Sequence, residues 1–240
     1  GARGAAPAGT LPVSPGAAPG ELVVVSTDVV KASFDSNGAN LVRLELLQYA
    51  DAEDRRRKVL LFEQSAERSY TAQSGLVATQ PGLALPNHYT AMTRVPGATT
   101  LADGANELQV RFESSADNGV KLVKIYTLKR GDYTIGVRHE VINTGAAPVT
   151  AQLYLQLARD GNPPRGESSF YFTFTGPAIY TEAKKYQKVE FTDIEKNKVD
   201  IEKTAENGYI AMVQHYFASA WVLGDCIKRD LFMRKVDTNL

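Results

Sequence analysis

Three histidines, one cysteine and a block of mixed charge are the places where this chain could do chemistry. A histidine acid and a glutamate base meeting in one cleft would suit a sugar epimerase, and two carboxylates from distant strands would suit a glycosidase. His139 falls on the apolar side of an alternating stretch, where a hydrogen-bonded core imidazole is the expected role. His88 follows Pro86-Asn87 and reads as loop or strand edge, while His215 lies inside an apolar run and is expected to be buried or to line a groove. Cys226 is the only cysteine, so an internal disulfide and a cysteine-based zinc site are excluded, and it reads as a small buried apolar residue. No nucleophile elbow, phosphate-cradling P-loop or HExxH pair occurs, which removes those hydrolase, nucleotide and metallopeptidase classes. The expectation is a chain with no catalytic residue, no metal and no cofactor.

Two further constellations bear on contact rather than reaction. In Asp51-Ala52-Glu53-Asp54-Arg55-Arg56-Arg57-Lys58 the acidic and basic halves nearly cancel, so a solvated loop or self-paired helix turn is expected. Arg55 to Lys58 could also approach anionic headgroups, an attraction that the acidic neighbours would blunt. Gln152, Tyr154 and Gln156 occupy the polar side of an alternating strand. A solvent-facing row of tyrosine and amides suits adaptable protein contact, or is simply exposed surface.

The elements that must position these residues are short strands. In Val149 to Leu157, Val149, Ala151, Leu153, Leu155 and Leu157 point one way while Thr150, Gln152, Tyr154 and Gln156 point the other. That is period two, a strand with one buried side. Tyr133, Ile135, Val137, His139 and Val141 alternate in the same way just before it, with Asn143 to Pro148 as the joining loop. Leu108, Val110 and Phe112 alternate, as do Phe170, Phe172 and Phe174, and Val42, Leu44 and Leu46 follow an Asn37-Gly38 turn. Val120 to Leu128 carries Lys121, Lys124 and Thr127 at a helix-like spacing of three, yet its β-branched and aromatic content favours a strand. Ala50–Arg57 and Thr181–Gln187 are the helix candidates. Gly208 to Val222 packs apolar and aromatic residues densely enough to read as buried β structure. About fifteen strands with turns every 8–12 residues indicate an all-β, antiparallel two-sheet domain.

Composition bounds the rest. Lysine plus arginine equals aspartate plus glutamate at 27 each, so phosphate neutralisation gives no reason to bind nucleic acid. No apolar run of about 18 residues appears, so no segment reads as a membrane-spanning helix. Residues 1–20 are almost all glycine, alanine and proline and read as a flexible tether, with a single domain over 21–240.

Five stretches in order resemble the periplasmic domain of YidC-type membrane protein insertases. They are Thr71-Ala72-Gln73-Ser74-Gly75-Leu76; Leu128-Lys129-Arg130-Gly131-Asp132-Tyr133; Gly176-Pro177-Ala178-Ile179-Tyr180; Lys185-Tyr186-Gln187-Lys188-Val189-Glu190-Phe191; and Gly208 to Val222, where Tyr209 stands in place of a more usual tryptophan. The resemblance implies a β-supersandwich similar to galactose-mutarotase-like domains, with a concave cleft. It implies a non-catalytic domain on the periplasmic face of the bacterial inner membrane, auxiliary to membrane protein insertion and folding. Implied partners are the Sec accessory proteins SecD and SecF and inserting membrane proteins. The family's SecF contact maps to a region like Val141 to Phe191, which would enlist Gln152, Tyr154 and Gln156. The resemblance also implies that the parent continues past Leu240, through further strands and into membrane helices. A carbohydrate-binding or aldose-epimerase-type supersandwich is the alternative.

Overall fold

The computed structural model describes residues 20–80, 82–166 and 173–237, and its fold is almost entirely β. The expected tether up to residue 19, and Phe170, Tyr171 and Phe172 of the expected aromatic strand, lie outside the described residues. The chain divides into two compact units. One comprises the described residues up to Gln64 together with Thr71–Gln156; the other comprises Ser65–Tyr70 and the described residues from Leu157 on.

The first unit is a sandwich of two sheets. Strands β1 (Leu22–Ser26), β2 (Val30–Asp35), β3 (Asn40–Ala50), β4 (Lys58–Gln64) and β5 (Ser69–Ala78) form one sheet, closed by β10 (Ala151–Arg159) beside β5. The second sheet runs β6 (Met92–Arg94), β7 (Glu107–Ser114), β8 (Val120–Lys129), β9 (Ile135–Asn143), all antiparallel. Alternation sets what lies between them. Leu108, Val110 and Phe112 on β7 and Val42, Leu44 and Leu46 on β3 are buried, as their spacing requires. Phe34 of β2 meets Tyr126 of β8 at 4.4 Å and Phe112 of β7 at 5.9 Å between ring centres, so the sheets face each other across an aromatic core.

Strand β8 is buried on both sides, which explains its ambiguous sequence. Leu122, Lys124, Tyr126 and Leu128 share the inward parity, and Lys121, Val123, Ile125 and Thr127 the outward one. Outside, Val123 and Ile125 lie opposite Glu113, Arg111, Glu140 and Arg138 on the flanking strands. Those residues form a charged ladder: Arg111 to Glu113 at 2.7 Å, Arg111 to Glu140 at 3.3 Å, Arg138 to Glu140 at 2.9 Å, with Lys121 on Glu113. Their aliphatic stems flank the two apolar side chains while their heads stay wet. The spacing of three arises because Lys124, alone among the polar residues of β8, points into the core.

Neither helix candidate forms. Ala50–Arg57 is the turn between β3 and β4, because Asp51 accepts from the Glu53 and Asp54 amides and Asp54 from the Arg56 amide, while the Asp51 N–H bonds Arg57 O at 3.0 Å and closes the hairpin. The expected self-pairing of this charge block is present, with Asp54 bridged to Arg56 and Arg57.

In the second unit β11 (Gly176–Thr181), β12 (Lys185–Lys188), β14 (Tyr209–Gln214) and β15 (Phe217–Val222) form a sheet in the order β12-β11-β14-β15. Thr181–Gln187 is thus a hairpin, not a helix; the Thr181 hydroxyl accepts the Lys184 amide within its turn. The one helix among the described residues is α1 (Phe191–Glu195), and β13 (Thr204–Ala205) pairs with β16 (Arg229–Asp230). The Tyr209 to Val222 segment is β as expected but only half buried: Ala211 and Met212 are covered, whereas Val222 is 69% exposed. The cause is topological, since β15 is the last strand of its sheet. Gly208 precedes β14 at φ +86, and a β-carbon there would sit 1.9 Å from Tyr180 O. Only glycine allows that approach.

Two stability effects follow. Lys124→Ala removes two hydrogen bonds to buried backbone carbonyls and leaves a cavity, so the urea midpoint should drop by the equivalent of about 2–4 kcal/mol. Gly208→Ala combines a strained φ with a backbone collision, and thermal unfolding should register a loss of about 1–3 kcal/mol or more.

Candidate functional site

Within the first unit the two sheets are joined by polar side chains, not by apolar packing alone. Lys124 is fully buried, and its ammonium donates to Gly38 O at 2.5 Å and Ser74 O at 2.7 Å. Gly38 belongs to the turn before β3 and Ser74 to β5, so a residue of one sheet grips two backbone points of the other. Tyr126, two residues on, donates its hydroxyl to Ala39 O at 2.5 Å. His139 is the cross-strand neighbour of Lys124 on β9, and its Nε2 lies 2.8 Å from Ser74 Oγ. The expected hydrogen bond to the imidazole is therefore present, although His139 is half-buried and not in the core.

Electrostatics reinforce the geometry. Burial pulls the Lys124 pKa down to about 7, although both carbonyl contacts favour the protonated form. Burial, and secondarily the Lys124 charge, lowers His139 to about 4. At neutral pH His139 is thus uncharged and Nε2 is free to act as acceptor or donor to Ser74 according to its tautomer. The lysine touches backbone carbonyls, Ser74 is 1% exposed, and His139 is half-buried beside them.

The second half of the network reaches β10. His88 lies in the loop before β6, as its sequence neighbours suggest, and is 3% exposed. Its backbone N–H donates to Tyr154 Oη at 3.0 Å, and its Nδ1 is in hydrogen-bond contact with the same hydroxyl, whose own proton is left for that nitrogen. His88 O in turn accepts from Asn40 Nδ2 at 2.7 Å, and at Gly38 a β-carbon would collide with that carbonyl. Burial pushes the Tyr154 phenol well above its ordinary value.

This overturns the expected solvent-facing row. Tyr154 is 9% exposed and faces inward, while Leu153, read from alternation as core, is 45% exposed. The alternation is real, but its polar side is the inner one, because the Tyr154 hydroxyl finds two partners there. Gln156 shares that side, is half buried and is hydrogen-bonded to Gln73 Oε1. Gln152, near the strand's outer end, is exposed. The exposed large apolar residues of β9 and β10 are Val141, Ile142 and Leu153, and Gln152 is exposed as well. Lys124 and Ser74 were missed as a pair; the available signal was a single lysine at inward parity in an otherwise apolar strand.

In the second unit His215 sits in the two-residue turn between β14 and β15, with Nδ1 2.7 Å from Thr173 Oγ1. Cys226 is exposed, at φ +64, in contrast to the buried role expected of it. Its backbone N–H bonds Glu206 O, which fixes a turn that holds the side chain outward. Asp160 accepts from the Ser69 and Asn162 amides and lies 3.6 Å from Arg68, a structural role. Among the described residues no group of three or more His, Cys, Asp or Glu is placed to hold a metal ion.

The His139 pKa gives a signed pH dependence. Unfolded, the ring takes a proton near its ordinary pKa of 6.5; folded, it does so only near 4. The unfolded state binds more protons between those values, so stability is complete above about 6.5, falls as pH drops to about 4, and changes no further through this group below that. Denaturation midpoints across that window should show the slope in the parent chain and a flatter profile in His139→Gln, which keeps a hydrogen-bonding side chain beside Ser74.

The family model for the YidC periplasmic domain matches residues 22–240. The chain is 47% identical over 229 residues to a membrane protein insertase YidC of Dechloromonas aromatica, covering 95% of this chain and 41% of that protein. It is 45% identical over 256 residues to one of Cupriavidus necator, covering all of this chain and 44% of that protein, and 46% identical over 224 residues to one of Bordetella parapertussis, with coverage of 93% and 39%. The chain thus spans about two fifths of the length of these relatives. With its antiparallel sandwich and the matched span starting at β1, the chain belongs to the YidC periplasmic-domain family.

Proposed function

We propose that this chain is the non-catalytic periplasmic domain of an inner-membrane protein insertase, and that residues 21–240 act there as one contact module auxiliary to membrane protein insertion and folding. The single observation that carries this reading is the family match over 22–240. The domain would lie on the periplasmic face of the inner membrane, have a shape like the galactose-mutarotase-like domains, and touch the Sec accessory proteins SecD and SecF or segments of inserting membrane proteins. The side chains on offer in the first unit support a contact role. Val141, Ile142 and Leu153 are apolar and exposed on strands β9 and β10, each the last of its sheet, with the Gln152 amide beside them. Exposed apolar side chains on strands at the sheet ends suit protein contact. Tyr154 and Gln156 support that surface from inside, Tyr154 through His88 and Gln156 through Gln73.

An epimerase-type reading calls for a carboxylate beside a histidine in an open cleft. His139 is hydrogen-bonded to Ser74 and His88 to Tyr154, and neither of these contacts is the histidine–carboxylate pair that reading calls for.

In the full-length parent, a photo-crosslinker placed at Gln152 or Leu153 should capture a Sec accessory protein, whereas one at Tyr154 should not. Equal capture from all three positions, or none from the two exposed ones, would remove this strand from the contact surface.

A further inference from the structure

Two strand connections of the first unit meet at a pair of exposed tyrosines. Tyr49 lies at the outer end of β3 and Tyr133 in the turn between β8 and β9; their rings are 5.9 Å apart at 55° and are 45% and 41% exposed. Between Tyr49 and the start of β4 runs the charge block, with Arg55, Arg56, Arg57 and Lys58 all exposed. The aspartates at this end accept from backbone amides, whereas Glu53 is exposed. Asp51 accepts from the Glu53 and Asp54 amides, Asp132 from the Thr134 amide at 2.8 Å, and Asp28 from the Gly131 amide at 3.0 Å. Asp54 accepts from the Arg56 amide and holds the Arg56 and Arg57 guanidinium groups. Arg55 and Lys58 make no ion pair among the described residues. The fold thus fixes the aspartates and leaves Arg55 and Lys58 without ion pairs at the same end of the β3–β4 hairpin as the two amphipathic rings, Lys58 opposite Ala50.

That combination is the chemistry of a lipid–water interface, where tyrosine rings sit at headgroup level and basic side chains face anionic phosphates. We propose that this tip, with Tyr49, Tyr133, Arg55 and Lys58 as its contact residues, rests on an anionic phospholipid surface. The inference goes beyond the protein-contact role proposed above and does not require it. Because acidic and basic charges nearly cancel over the tip, the attraction is short-ranged and carried by the projecting pair. It should weaken steeply with salt.

Co-sedimentation of the whole chain with vesicles tests this without any insertase activity. Vesicles of phosphatidylcholine containing about a third phosphatidylglycerol should bind the chain at low ionic strength, neutral phosphatidylcholine vesicles should not, and Arg55→Glu with Lys58→Glu should reduce binding about tenfold. Tyr49→Ser with Tyr133→Ser should also weaken it, with circular dichroism unchanged. Arg55→Gln with Lys58→Gln provides a milder version should the double reversal disturb folding. Equal binding to both vesicle types, anionic binding untouched by the charge variants, or binding to polyglutamate but not to anionic vesicles would each overturn the proposal; the last would make the partner an acidic polypeptide.

Discussion

A lysine sealed from water must find acceptors inside the protein, because an ammonium without them is costly to bury. In the first unit that requirement is met by Gly38 O and Ser74 O, and much of the unit's arrangement can be traced to it. Side chains on a strand alternate, so sliding β8 by one residue would put Val123 or Ile125 where the ammonium now sits and turn Lys124 outward. The buried charge therefore acts as a register pin between sheets whose remaining contacts, Phe34 with Phe112 and Tyr126 for example, are tolerant of small shifts. Tyr126, bonded to Ala39 O, repeats the device two residues along. His139, the cross-strand neighbour, carries it to the outermost strand of the second sheet.

From the same turn a second chain of contacts runs through Asn40 to His88 and on to Tyr154. It orients β10, because the tyrosine hydroxyl is committed inward. Leu153 is left facing solvent as a direct result. The exposed side of β10 is thus determined by hydrogen bonding inside the sandwich rather than by the hydrophobicity of its own residues. A surface formed in this way is apolar yet held on a rigid strand, a combination suited to docking with little loss of side-chain freedom.

The ionisable side chains described in the first unit hold its structure together. The histidines of the first unit are engaged with a serine and a tyrosine, the lysine with backbone carbonyls, and the aspartates at the Tyr49–Tyr133 end with backbone amides. Neutral overall charge fits a domain whose contacts are local. What distinguishes one surface from another is which charges the fold has already engaged, and that distinction is invisible in a count of acids and bases.

The strands and the all-β class were legible because period two is a direct record of which side of a strand is buried: β3 and β7 could be read residue by residue. The five ordered motifs likewise carried the family. Three things were not legible. Ala50–Arg57 and Thr181–Gln187 have helix-compatible composition, yet side chains capturing nearby amides decided for turns. Tyr209 to Val222 is apolar enough for a core, but its second strand, β15, is the last of its sheet and the segment is left half wet. Above all, alternation in β10 separates two sides without saying which is inner. Local sequence fixes periodicity because it reflects backbone geometry alone, whereas the direction in which a tyrosine, a lysine or a cysteine points depends on partners that only the folded chain brings within hydrogen-bonding distance.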